Sequence, residues 1–173
     1  MSPTIRTASE NDLPAIVSIY NSTIPGRMVT ADTTPVSVES RLAWFQEHTP
    51  RVRPLWVVEE VHTVVAWLSF SSFYGRPAYD KTAEISIYVH EVWRGKGLGS
   101  ALLQAAIAHS PEIGVDTLLG FIFGHNTPSL NLFKKFGFEQ WGWLPQVALL
   151  DEVERDVAIL GKKTAAGNRK NRS

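Results

Sequence analysis

The chain has no cysteine among its 173 residues, which excludes disulfides, thiolate metal sites and a cysteine nucleophile together. It also lacks any apolar run of about 18 residues, the length that a bilayer-crossing helix needs, and Met1 to Arg6 carry no hydrophobic leader stretch. A cytoplasmic protein with no membrane partner is the expectation. Net charge is missing too, since 17 Lys and Arg balance 17 Asp and Glu. The balance is uneven, because Lys162, Lys163, Arg169, Lys170 and Arg172 meet no acid after Leu160 and leave 12 basic residues against 17 acidic ones in the body. An acidic body argues against a nucleic-acid partner. Residues 161–173 are polar, too poor in apolar groups to offset the entropy of ordering, and read as a basic, disordered tail. His48, His62, His90 and His109 show no ligand spacing with carboxylates, so no metal is expected.

What is present is enough apolar sequence, 44%, for a real core in a chain of single-domain length, and residues 1–160 read as one domain. Its elements alternate. Ile5 to Ala8 reads as a strand. Ser9 with Asp12 three residues on resembles a capping box, opening a helix with the stripe Leu13, Ile16, Val17 and Tyr20 that ends near Pro25-Gly26. Ser37 caps a second helix carrying Val38, Leu42 and Phe45, stopped by Pro50. Leu55 to Glu59 and Thr63 to Phe73 form a hairpin pattern, and Ala83 to His90 is a further strand. A helix from Ala101 stops at Ser110-Pro111. Thr117 to Phe123 is a strand, Thr127-Pro128 reads as N-cap and N1 of a helix reaching Phe136, and two last strands lie near 138–143 and 156–160. The class is mixed α/β.

Between the strand ending at Val89 and the helix from Ala101 lies Arg94-Gly95-Lys96-Gly97-Leu98-Gly99-Ser100. Alternate glycines let backbone approach a ligand, and the first helical amides lack intrahelical acceptors, so the segment can bind a phosphate or pyrophosphate. The spacing is neither a Walker loop nor a dinucleotide fingerprint. A glycine-rich turn with no ligand is the other reading of the same residues. In the preceding strand, Ile85, Ile87 and Val89 face one side and Glu84, Ser86 and Tyr88 the other, which leads a polar row into the loop. Glu84 has the chemistry to take a proton from an ammonium, directly or through water, although a lone strand-end glutamate can equally be a solvated carboxylate.

Arg94, Gly97 and Gly99 fit the Arg/Gln-x-x-Gly-x-Gly/Ala motif, and the chain resembles the GNAT superfamily of N-acetyltransferases. Thr34-Pro35 leading to Arg41-Leu42-Ala43-Trp44-Phe45, and Arg76-Pro77-Ala78-Tyr79-Asp80-Lys81-Thr82-Ala83-Glu84, resemble its phosphinothricin and methionine sulfoximine acetyltransferase branch. The resemblance runs from about residue 3 to about residue 160. It implies an α+β GNAT fold, a mostly antiparallel sheet of about seven strands flanked by about four helices. It also implies acetyl-CoA as cosubstrate, a homodimer, and acetylation of the primary amine of a small amino-acid-like acceptor. Glu84 would be the base. The backbone of Ile87, Tyr88 and Val89 would meet the pantetheine amides and polarise the thioester. Arg94, Gly95, Lys96, Gly97, Leu98, Gly99 and Ser100 would hold the pyrophosphate, with Asn126 and Ser129 as a second contact, and Lys134 and Lys135 could attract phosphates. Tyr74, Gly75 and Arg76, together with Ile85 and Ser86, would bind the acceptor, Arg76 as a fork on its acid group. The 27–32 segment would help shape that pocket, whereas Trp44 and Phe45 read as core. Phe133 is a departure, because the family often has tyrosine or histidine there and a phenyl ring cannot protonate the leaving thiolate. His125 and Tyr88 are the remaining candidate donors. A CoA-binding regulatory module and an acetyltransferase of another amine (a polyamine, an aminoglycoside or a protein N-terminus) are the alternatives.

Overall fold

In the computed structural model, which describes residues 3–164, one sheet of seven strands runs through the whole domain. In chain order the elements are β1 (Thr4–Thr7), α1 (Leu13–Ser22), α2 (Leu42–Gln46), β2 (Leu55–Glu60), β3 (Thr63–Ser72), β4 (Thr82–Val89), α3 (Leu98–His109), β5 (Thr117–Phe123), α4 (Thr127–Lys135), β6 (Glu139–Leu150) and β7 (Val153–Lys163). The spatial order is β1-β2-β3-β4-β5-β7-β6, and every pairing is antiparallel except β4 with β5. This is the expected α+β sheet with four helices. Among the described residues no helix is long and apolar enough to cross a membrane.

Alternation decides which side of the sheet each residue buries. Ile85, Leu118, Ile122 and Leu160 pack with Leu102 and Leu103 of α3 and Phe133 of α4 in the larger core. Trp67, Leu55 and Val57 pack on the opposite face with Ile16 and Ile19 of α1. The start of α1 is fixed by charge as well as by its stripe. Asp12 accepts the Ser9 backbone N–H at 2.7 Å, closing the expected capping box, and Arg6 of β1 grips the same carboxylate at 2.7 and 2.9 Å. Arg6 holds the Asp12 carboxyl below its ordinary range, so this contact stabilises the fold at neutral pH and fades on acidification.

Several boundaries differ from the sequence reading. α1 stops at Ser22, ahead of Pro25-Gly26, and α2 is short, preceded by a 3-10 turn at Glu39–Arg41. The Ser40 N–H does bond Ser37 Oγ at 3.1 Å. Asn126 rather than Thr127 is the N-cap of α4, which moves Pro128 one position into the helix. The last hairpin is far longer than the pattern suggested, because Pro145 and two bulges in β6 break the alternation. β7 includes Gly161, Lys162 and Lys163, and Thr164 is buried with its hydroxyl on Val115 O at 3.1 Å. The expected tail therefore loses 161–164 to the fold, and its remainder lies outside the described residues.

Two hairpins turn on residues that sequence rules do not flag. β2 passes to β3 through Val61 and His62 at φ 47° and 63°, and β6 passes to β7 through Asp151 and Glu152 at φ 51° and 65°. Consecutive positive φ values are the geometry of a type I′ turn, which favours Asn-Gly. A β-branched valine there is strained. Replacing Val61-His62 with Asn-Gly should stabilise the domain by about 1 kcal/mol and raise Tm by about 2–4 °C, as read by thermal unfolding.

Candidate active site

β4 and β5 pair only through Thr82–Glu84 and Thr117–Leu119, and then part. Past that point β4 keeps its ladder with β3, while its other edge opens on a cleft of about 510 Å³. The His90 N–H bonds Val65 O, so by the two-residue alternation Tyr88 and Ser86 also turn their backbone groups toward β3. The backbones of Ile87 and Val89 then face the cleft with no strand to pair them. Two of the three expected backbone contacts are thus offered. Tyr88 lines the cleft as well, its ring stacked on Trp67 at 4.4 Å.

The glycine loop closes one end of this cleft. Gly95 and Gly97 stand at φ 74° and 80°, where a side chain is strained, and a Cβ on either would meet no atom within 4 Å. Gly97 is the N-cap of α3, and its carbonyl takes the first helical bond from the Ala101 N–H at 3.0 Å. The amides of Leu98, Gly99 and Ser100 are left without helical acceptors at the positive end of a 12-residue helix, and all three residues line the cleft. Arg94 lines it too. An anion seat, an unpaired strand edge and apolar walls in sequence fit a nucleotide with a long amide-bearing arm, its phosphates at α3 and its amides along β4. Lys96 is the exception in the loop. Its ammonium lies over the Trp93 ring at 4.5 Å instead of lining the cleft.

Glu84 is the last β4 residue paired to β5, at the closed end of the wedge. Burial raises its pKa above the ordinary glutamate value, and among the described residues its carboxylate has no hydrogen-bond or ion-pair partner. Ser71 is its cross-strand neighbour and Ser86 lies two residues on, both on the same face. These two serines line a second, smaller cleft of about 190 Å³ beneath α1 and α2, so Glu84 borders that cleft. Trp44, expected as core, forms one of its walls.

Other expected residues divide. Asn126 and Ser129 line the large cleft, but the Asn126 side chain is also occupied within the protein, accepting the Ser129 N–H at 3.3 Å and donating to Met28 O at 3.1 Å. His125 does not line it, and its Nε2 is 2.8 Å from Arg27 O. These two bonds dock the 27–32 segment against the turn after β5, and its Met28 and Val29 form wall of this large cleft and do not line the smaller one. Tyr88, the other candidate donor, lines the cleft, but burial pushes its pKa up, which makes it a poor acid. Phe133 is almost fully buried against Phe138, and its ring covers Gly120, where a Cβ would come within 2.7 Å. Lys134 and Lys135 lie outside the cleft. Tyr74, Gly75 and Arg76 are exposed and line neither cleft in a single chain, the Tyr74 ring lying tilted against Phe73 at 4.2 Å. Sequence reasoning missed Thr23, Phe121 and Leu132, which reach the cleft only because the two strands separate.

Gly97→Val should abolish measurable acetyl-CoA binding by calorimetry while leaving the circular dichroism spectrum and cooperative unfolding intact. The branched side chain would enter the anion seat from a position where no protein atom is displaced.

The model of the acetyltransferase (GNAT) family matches residues 15–138. YwnH of Bacillus subtilis, provisionally named a phosphinothricin acetyltransferase, is 55% identical over 161 residues, covering 92% of this chain and 98% of that protein. The L-methionine sulfoximine/L-methionine sulfone acetyltransferase of Pseudomonas aeruginosa is 34% identical over 85% of this chain and 86% of its own length. Among solved structures, a GNAT phosphinothricin acetyltransferase of Sinorhizobium meliloti in complex with acetyl-CoA superposes with a TM-score of 0.91 at 28% identity, covering 98% of this chain and 92% of that one. A family match over most of the chain, together with a relative that shares more than half of its residues, shows that the chain belongs to the GNAT family of acetyl-CoA-dependent N-acetyltransferases.

Proposed function

We propose that the enzyme acetylates the primary amine of a small amino-acid-like acceptor of the phosphinothricin or methionine sulfoximine type, with Glu84 as general base. The observation that carries this reading is the half-buried, unpartnered Glu84 carboxylate at the closed end of a wedge whose other end offers an anion seat. Bound acetyl-CoA supplies the thioester whose acyl carbon accepts the amine. The protein's part is to place and to deprotonate. The unpaired N–H groups of Ile87 and Val89 are positioned to donate to the carbonyl oxygen as it gains charge. Glu84 removes a proton from the incoming ammonium, and its raised pKa brings it closer to the amine it must deprotonate. With Phe133 unable to donate, the thiolate leaves as the anion or takes its proton from water. The names of the relatives support the acceptor class, and a cytoplasmic location follows from dependence on the acetyl-CoA pool.

Glu84→Gln should lower turnover on methionine sulfoximine by about 100-fold at neutral pH with acetyl-CoA affinity nearly unchanged, the deficit narrowing as pH approaches the amine pKa. The same substitution has a stability signature. A raised native pKa means that the fold binds this proton more tightly than the unfolded chain does. Its contribution is therefore most favourable below the ordinary glutamate value and is lost as pH rises through the native value. The variant should melt above wild type at neutral pH and lose that advantage below pH ~4. Wild-type turnover in the variant would remove Glu84 as the base.

A homodimer through β6 is part of the same proposal. β6 is the sheet's edge strand, and it exposes Trp143, Leu144, Val147 and Leu149, the last at 65%. Exposed apolar edges of this length are normally covered. Light scattering should give twice the chain mass for wild type and a shift to monomer for Val147→Glu with Leu149→Glu.

A further inference from the structure

The second cleft has the properties of a ligand pocket in its own right, and it meets the first. Ser86 and Tyr88 line both, because the unpaired β4 edge forms the boundary between the two sides of the sheet. A thioester delivered along one side is thus reachable by an amine from the other. The register Ser69↔Ser86 and Ser71↔Glu84 places three hydroxyls and the carboxylate in a square on one face. Among the described residues none of the three hydroxyls has a protein hydrogen-bond partner, so the patch is left for the polar atoms of a ligand or for water. Trp44 and Trp67 stand edge to face at 5.5 Å and make the walls apolar.

Arg41 is the one charged group on the lining. Its Nη2 donates to Asp32 at 3.0 Å, and its guanidinium sits 5.1 Å from the centre of the Tyr20 ring. The Tyr20 hydroxyl also donates to Asp32, so this carboxylate is committed from two sides. The outcome is a cation held in place with most of its N–H fork unused by the protein. Such a group binds carboxylates in two-point fashion.

We propose that the second cleft is the acceptor pocket and that Arg41 sets its specificity by holding the acceptor's carboxylate, with the amine directed to Ser86 and Glu84. This rests on the acetyltransferase reading and deepens it. It accounts for a small α-amino acid as acceptor, since a polyamine has no anion for Arg41 and a peptide chain exceeds the pocket.

The test compares methionine sulfoximine with its carboxamide, which keeps the amine and side chain and removes the anion. Wild type should prefer the acid by about 100-fold in kcat/KM, roughly the worth of a desolvated charged pair. Arg41→Ala should reduce that preference to a few-fold, chiefly through KM, with acetyl-CoA affinity unchanged, and Arg41→Lys should recover only part of it. Ser71→Leu, which fills the cleft without touching the Arg41–Asp32 pair, should raise acceptor KM by at least 10-fold and so keeps the proposal testable if Arg41→Ala misfolds. An unaltered acid preference in folded Arg41→Ala, an unaltered KM in Ser71→Leu, or collapse of the preference in Arg76→Ala instead, would overturn the assignment. Wild type inert toward every amine, with acetyl-CoA bound, would overturn the acetyltransferase reading itself.

Discussion

The separation of β4 from β5 after three paired residues is the constraint from which the rest of the site follows. A parallel pair embedded in a sheet normally consumes its backbone groups along its full length. Here the ladder stops at Glu84 and Leu119, and the N–H and C=O groups of Ile87 and Val89 lose their strand partner. Leaving such groups buried and unpaired costs about 1–3 kcal/mol each, which is tolerable only where solvent or ligand can reach them. The cleft provides that access. It also brings the helix that follows β4 to the mouth of the opening, so the unpaired strand edge and the unpaired helix amides face one elongated ligand.

The opening works because the surrounding elements are held rigidly. β3 keeps β4 in register along its full length, and β7 does the same for β5. On the α4 side, the Phe133 ring lies over Gly120, filling the space that a side chain at this position of β5 would take. The Phe133 ring is thus packing between α4 and β5, in contact with Phe138 as well. On the other side, the turn after β5 is bonded through His125 and Asn126 to the backbone of Arg27 and Met28, which carries the 27–32 segment over the cleft.

Much of this was legible in the sequence because it depends on local rules. The alternation of Ile85, Ile87 and Val89 against Glu84, Ser86 and Tyr88 gave the correct faces, and the glycines at 95 and 97 marked the positive-φ loop. What was not legible depended on pairing between distant segments. No local signal shows that β5 leaves β4 at Leu119, so Phe121 and Leu132 were missed. The final hairpin was cut short for a different reason. Its turn, Asp151-Glu152, takes positive φ without glycine, and Pro145 interrupts the alternation of β6. Arg76 matched a motif, yet its loop stands clear of both clefts in one chain.

The electrostatics of the acceptor side form a single arrangement. A carboxylate meant to accept a proton from an ammonium must not be paired, because a neighbouring guanidinium would lower its pKa and weaken it as a base. Glu84 satisfies this by burial alone, with no cation beside it. Arg41 is the one charged residue lining the cleft that Glu84 borders, and Asp32 holds its guanidinium while Tyr20 lies beneath it. Asp32 thus fixes the cation of the cleft, and among the described residues no ion pair joins it to Glu84. In the acceptor pocket proposed above, an amino acid would present its carboxylate to Arg41 and its ammonium to Glu84, so that its two charges would be matched by two protein charges not paired with each other. The charge separation, rather than either residue alone, is what fits the pocket to a zwitterion.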